Sequence, residues 1–213
     1  MKTIVYIARH SKPFRDLLGS YVALEEEQIR NEKNPLSVEG EIRAHQMSLI
    51  DELKDVKIIY SSHYVRAMST AKYIATKNNI KLNVDYRLGE RKFGVDSMSE
   101  LPIDFFENQF KNWNYKIGNG ECLNDVSIRM KEALFDLLEE SKGKTSMIVS
   151  HGTALSVMLK WWCDIKLNKQ TKLVEIYFND ELIFEGNWNT PELFKLTFED
   201  NNLIEIKNIK FNV

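Results

Sequence analysis

Two cysteines among 213 residues, Cys122 and Cys163, are too few for a disulfide framework, and neither lies in a metal-ligand spacing. Internal repeats and low-complexity linkers are missing. No apolar stretch is long enough to span a membrane. The first ten residues, MKTIVYIARH, carry one lysine and a short apolar run broken at Arg9 and His10. A signal peptide needs a longer apolar stretch and a small-residue cleavage site. An excess of one charge is missing too. The chain has 29 basic and 31 acidic residues, a formal charge of −2, so nothing draws it at long range toward nucleic acid or an acidic membrane. These absences predict a cytoplasmic protein with no nucleic-acid or membrane partner; a homodimer is left open. If the protein binds an anion, its positive charge must be local, in a pocket.

What is present is an ordinary globular mix, 43% hydrophobic and 28% charged, in a length that suits one α/β domain spanning 1–213. Thr3 to Ala8 is a β-branched and aromatic run that reads as a strand buried on both faces. Leu17 to Lys33 reads as a helical excursion, and Ser37 as the N-cap of a helix running to Leu53. Further strands are expected at Ile58–Tyr60, Leu82–Val84 and Ser146–Val149, with helices at Tyr64–Lys77, Leu123–Glu140 and Thr153–Trp162. Residues Phe93 to Gly120, rich in aromatics, read as a helical insertion folding over a pocket. Short strands are expected at Val174–Phe178, Ile183–Trp188, Phe194–Glu199 and Leu203–Ile209. Alternation of strand and helix over the first three quarters predicts a largely parallel central sheet with helices on both faces, a three-layer α/β/α sandwich.

In such sheets ligands bind beyond the carboxyl ends of the strands. Here three of those ends carry unusual residues: Arg9-His10, Ser61-Ser62 leading to Arg66, and Ser150-His151-Gly152. Two histidines and two arginines at one sheet edge suit a dianionic phosphate. Arginine grips phosphate oxygens bidentately and keeps its charge. A neutral histidine can attack phosphorus, and a second can donate to the oxyanion.

Arg9-His10, Leu36-Ser37-Val38-Glu39-Gly40, Ser61-Ser62-His63-Tyr64-Val65-Arg66-Ala67, Leu88-Gly89-Glu90, Gly120-Glu121-Cys122 with Asp125-Val126, and Ser150-His151-Gly152 follow one another in this chain. Their order resembles that of the histidine phosphatase superfamily, which includes the cofactor-dependent phosphoglycerate mutases. The resemblance covers about residues 3–160 and implies a phosphoglycerate mutase-like fold. It implies a nucleophilic His10, phosphoryl oxygens held by Arg9, Arg66 and His151, and Glu90 as the acid that protonates the leaving oxygen and then activates water. It implies no metal and no cofactor, with a small phosphate ester as the partner. Arg91, next to Glu90, resembles the arginine that holds substrate in the mutase branch. Glu121 or Asp96 could take the place of Glu90.

The family's glycine after the nucleophile is replaced by Ser11, which could donate to phosphate or crowd the site. His63 lies at the pocket edge, His45 reads as surface, and Cys122 stands where the family often has serine. Lys12 and Arg15 could meet a second anion. Between Phe93 and Gly120 only Lys111 and Lys116 oppose Asp96, Glu100, Asp104 and Glu107, a poor cover for a bisphosphate. A phosphatase is therefore expected. A phosphoglycerate-type mutase, or a weakly active phosphate-binding protein, is the alternative.

Overall fold

The computed structural model describes residues 1–14 and 27–211. Arg15 and the first part of the expected Leu17–Lys33 helix lie outside them. In chain order the elements are β1 (Lys2–Arg9), α1 (Glu27–Lys33), α2 (Val38–Ser48), β2 (Val56–Ser61), α3 (Val65–Asn78), β3 (Leu82–Val84), α4 (Phe105–Lys111), α5 (Leu123–Glu140), β4 (Thr145–Ser150), α6 (Gly152–Met158), β5 (Asp164–Leu167), β6 (Val174–Phe178), β7 (Glu181–Gly186), β8 (Glu192–Glu199) and β9 (Asn202–Ile209).

Among the described residues the main sheet runs β3-β2-β4-β1-β8-β9, and β1 to β4 are parallel. β8 is antiparallel to β1, and β9 to β8. Because successive side chains alternate between faces, Val5, Ile7 and Ile148 join one core while Tyr6, Ala8, Met147 and Val149 join the other. The first core is roofed by α5 and α6, the second by α2 and α3. That is the expected three-layer arrangement, and it explains why Ile4 to Ala8 of β1 are apolar without interruption. α5 presents Leu123, Val126, Met130, Leu134 and Leu137 at helical spacing to the first core. Truncating a fully buried member such as Leu134 to alanine costs about 2–5 kcal/mol.

Ser37 caps α2, its Oγ accepting from the Gly40 amide at 3.0 Å. The Gly40 position requires glycine, since a Cβ there would lie 2.0 Å from the Lys12 carbonyl oxygen. The helix packs directly on the chain leaving β1. It stops at Ser48 rather than Leu53, and a 3₁₀ turn covers Asp51–Leu53. The other expected long helix, Thr153–Trp162, ends at Met158 and continues as a 3₁₀ turn over Leu159–Trp161.

Two features differ more from expectation. The 93–120 segment contains one seven-residue helix, α4, and a 3₁₀ turn at Met98–Glu100; the rest is irregular. The late strands divide between two sheets. β8 and β9 extend the main sheet, whereas β5, β6 and β7 form a separate antiparallel sheet that reaches the first core through Ile176 and Phe184. β5 was not expected, because Asp164-Ile165-Lys166-Leu167 is too short to show a period.

Candidate active site

The register of the parallel strands brings the chemistry together. Arg9 of β1 is opposite Ser150 of β4, and Ser61 of β2 is opposite Val149. Arg9-His10, Ser62 and His151 therefore leave the sheet side by side at its carboxyl edge. The His10 amide extends the ladder, donating to the Ser150 carbonyl at 2.9 Å.

His10 is 3% exposed. Its Nδ1 lies 2.7 Å from the Ser11 carbonyl oxygen, which can only accept, so Nδ1 carries the proton. The Nε2 lone pair faces Arg66, whose Nε donates to it at 3.0 Å. The same guanidinium reaches the second histidine, with Nη2 3.3 Å from His151 Nδ1. Since an arginine can only donate, His151 carries its proton on Nε2, 2.9 Å from Ser62 Oγ. The two imidazoles meet edge to face with centroids 5.1 Å apart. A third bond from Arg66, to the carbonyl of Asn31 in α1, fixes the side chain from outside.

Burial, reinforced by the charges of Arg66 and Arg9, holds the His10 imidazole well below its ordinary value. Burial does the same to His151, with His10, Arg66 and Arg9 adding to it. Both rings are thus neutral at physiological pH, which leaves His10 Nε2 with the electron pair a nucleophile needs. Burial also lowers Arg66, to about 10. It remains a cation at neutral pH.

Glu90 closes the site from the side of α6. Its Oε1 accepts from the Arg91 and Ala154 amides at 2.9 and 3.0 Å, and its Oε2 from the Thr153 amide at 3.3 Å. It therefore occupies first-turn donors of α6 that have no partner inside the helix. The loop bearing Glu90 is held by Arg129 of α5, whose guanidinium donates to the carbonyls of Gly89 (2.9 Å) and Glu90 (3.2 Å). Arg129 also forms a bidentate pair with Glu121, at 2.7 and 2.9 Å. Burial pushes the Glu121 carboxyl upward, but the Arg129 bonds outweigh it and hold Glu121 below the usual carboxylate value. Glu121 is accordingly a structural anion rather than the acid. Asp96 is exposed, beside Lys92 in a separate hollow.

Two of the expected substrate-binding side chains are placed differently. Both donors of Ser11 are already used: the amide donates to Thr70 Oγ1 at 2.9 Å and the hydroxyl to the Gly40 carbonyl at 2.7 Å. Ser11 ties β1 to α2 and points no donor at a phosphate. Arg91 is 2% exposed, its guanidinium bonded to Gln109 and packed over Phe93, Phe105 and Phe106 at 4.5–5.4 Å. Arg91 fastens α4 to the Glu90 loop. Lys12 pairs with Glu39, and His63 stacks on Tyr86 with Nε2 3.5 Å from Glu32. His45 is exposed, as expected. Cys122 is buried as the N-cap of α5, its sulfur accepting from the Asp125 amide at 3.3 Å.

Arg9 donates to the Trp188 carbonyl and, with Glu90, forms the inner end of a cleft of about 440 Å³ bounded by α4, α6 and the small sheet. Sequence reasoning gave no site role to Arg129 or to Trp188, the latter appearing only as the end of an expected strand. Arg129 follows Glu121 by eight positions on the helix that Cys122 opens, so charge pairing there was a usable signal. Trp188, far along the chain, gave none. Among the described residues no His, Cys, Asp or Glu group is arranged to hold a metal ion, and no helix is long and apolar enough to cross a membrane.

The model of the histidine phosphatase superfamily (branch 1) matches residues 5–177. A probable phosphoglycerate mutase GpmB from Yersinia enterocolitica is 29% identical over 165 residues, covering 73% of this chain and 72% of its own. The solved structure of a mycobacterial glucosyl-3-phosphoglycerate phosphatase superposes with a TM-score of 0.69 at 17% identity, over 98% of this chain and 97% of that one. A phosphoserine phosphatase from Entamoeba histolytica, solved as a mutant in complex with phosphoserine, gives 0.63 at 19% identity over 96% of both chains.

Proposed function

The chain belongs to the histidine phosphatase superfamily, branch 1, and from that premise we propose that it is a phosphatase that moves a phosphoryl group from a small monoester to His10 and then to water. Attack starts at His10 Nε2, because Nδ1 is committed to the Ser11 carbonyl. The incoming phosphoryl displaces the Arg66 Nε–His10 bond and inherits that donor, so Arg66 exchanges a neutral acceptor for an anionic one. Arg9 supplies a further donor to the equatorial oxygens, while His151, its Nε2–H held by Ser62, presents Nδ1 to Arg66 and keeps that guanidinium aimed at the reacting centre. Glu90, between the cleft and the reacting centre, protonates the departing alkoxide. The resulting carboxylate takes a proton from water, which attacks the phosphohistidine and releases inorganic phosphate. Charge neutralisation by arginine needs no metal.

The observation that carries the choice of water over a second substrate hydroxyl is the engagement of Arg91. A mutase must keep a bisphosphate bound by a second cationic site. Arg91 is turned into its aromatic box and bonded to Gln109, and Lys12 is paired with Glu39. The Ser11 hydroxyl, facing Gly40, leaves the phosphate side of the loop uncrowded, which favours an active enzyme over a binding protein. The names of the curated relatives favour the mutase reading. Both are tested by supplying 3-phosphoglycerate with a trace of 2,3-bisphosphoglycerate. Phosphate release faster than formation of 2-phosphoglycerate is expected; the reverse assigns the chain to the mutases. Activity is expected to survive exhaustive EDTA treatment, and rescue of a lost activity by Mg²⁺ or Zn²⁺ would refute metal independence.

A further inference from the structure

The cleft that opens from Arg9 and Glu90 is larger than a three-carbon phosphate needs. Its volume, about 440 Å³, falls in the range of pockets that hold drug-sized ligands, roughly 300–1,000 Å³. Its walls come from separate elements: Phe106 and Phe110 of α4, Val157 of α6, Val174 of the small sheet, and Trp188. Trp188 is fixed, its ring N–H bonded to Ser156 Oγ at 2.8 Å and its ring tilted against Phe184 and Phe194 with centroids 5.4 and 4.9 Å away. Phe106 is half exposed although it is a large apolar side chain at the cleft wall. An aromatic surface exposed in a concave site is a signature of ligand contact.

The cations that line the cleft are each engaged within the protein. Lys172 Nζ lies 2.7 Å from Glu107 Oε1, which joins α4 to the turn before β6, and Arg91 is bonded to Gln109 beneath the aromatic rings. Lys172 is thus paired with a carboxylate, whereas Arg91 is held by a neutral amide and Arg9 by a carbonyl. A second carboxylate or phosphate on the substrate would meet Glu90 on the cleft wall, with Lys172 already held by Glu107.

Resting on the phosphatase reading of the His10 site, we propose that the cleft receives the leaving group, and that the preferred substrate is the monophosphate of an uncharged alcohol bearing a bulky, mainly apolar ring system. The ring lies between Phe106, Phe110 and Trp188, with the scissile oxygen at Glu90. Ring burial contributes to binding without changing the chemistry at phosphorus.

The test compares primary alkyl phosphates whose leaving alcohols are similarly reactive: ethyl phosphate, 2-phenylethyl phosphate and 2-(2-naphthyl)ethyl phosphate, with 3-phosphoglycerate as the small charged comparator. The ring-bearing esters are expected to exceed ethyl phosphate in kcat/KM by roughly 10- to 100-fold, the return from burying one aromatic group. Phe106→Ala is expected to shrink that ratio by at least about threefold through KM. Ethyl phosphate or 3-phosphoglycerate turning over as well as the ring-bearing esters overturns the proposal. A reading independent of turnover is calorimetric binding of 2-phenylethylphosphonate against ethylphosphonate. Tighter binding of the ring supports the proposal even if no ester is hydrolysed, in which case the phosphatase reading fails alone. Equal affinities overturn it.

Discussion

At the carboxyl edge of the parallel sheet, His10, Arg66 and His151 are no more than 5% exposed and are hydrogen-bonded to one another, with Ser62 behind them. In the adjoining cleft the side chains come from α4, the small sheet and the segment before β8, and Phe106 stands half exposed. The edge is positioned by strand register, which a single-residue slip would destroy. The cleft is positioned by side-chain packing and an ion pair, which tolerate substitution. On the proposed reading the contrast separates two tasks in one molecule: the edge holds the phosphoryl group and the cleft discriminates among alcohols. Substitutions at the edge should therefore reduce turnover on every ester, whereas those in the cleft should re-rank the esters.

The largest effect is expected at the centre of the edge. Arg66→Ala removes the donor shared by both imidazoles and, on the proposed mechanism, one phosphate clamp worth roughly 2–4 kcal/mol in the transition state. Turnover should fall by about two to three orders of magnitude on every ester, with the thermal melting transition retained. A loss confined to ring-bearing esters would erase the distinction between edge and cleft.

Arg129→Ala tests the boundary. It leaves all phosphate contacts in place but releases the carbonyls of Gly89 and Glu90, so Glu90 loses its alignment over the scissile oxygen. A displacement on the order of 1 Å costs about 100-fold. The expected result is a kcat reduced by about 10- to 100-fold with KM nearly unchanged, and a shifted pH profile because the acid is misplaced. A change in KM alone would assign Arg129 to folding of the cleft wall.

These two arginines also show where the sequence is readable. His10, Arg66 and His151 could be found because parallel strands deliver their carboxyl-terminal neighbours to one edge whatever the loops do. The exact span of α5 and the Ser37 cap followed from local periodicity and capping chemistry. The roles of Arg91 and Ser11 could not be read in this way. Each is decided by which acceptor lies nearest in space, Gln109 for one and the Gly40 carbonyl for the other, and these acceptors are 18 and 29 residues away. The cleft was legible only as an aromatic-rich stretch, because its opposite wall is a sheet built from residues beyond 160 whose partners no local pattern reveals.

Acid should affect the edge before the cleft. His10 and His151 are buried and neutral in the fold, with values below the ordinary 6.5. Between those lowered values and 6.5 the unfolded chain binds more protons than the native one, so stability rises with pH across that window and is lost as pH falls below 6.5. The slope is up to about 1.4 kcal/mol per pH unit for each ring. Urea midpoints at pH 7, 6 and 5 should decline accordingly, while a flat profile would mean that the rings are charged or exposed in the native state.

The smallest effect is expected at Ser11. Ser11→Gly removes the hydroxyl bond to the Gly40 carbonyl, worth about 0.5–1.5 kcal/mol of stability. Activity should change by less than about threefold, since no phosphate donor is lost. A drop comparable to that of Arg66→Ala would move Ser11 into the ring that holds the phosphate.

The central claim is that His10 Nε2 takes the phosphoryl group. Brief incubation with a radiolabelled phosphate ester, followed by quenching in alkali, where phosphoramidates persist, and peptide mapping tests it directly. The account predicts alkali-stable, acid-labile label on His10 of the active enzyme and none on His10→Ala. Label on a serine or cysteine, or rapid turnover by His10→Ala, would contradict it.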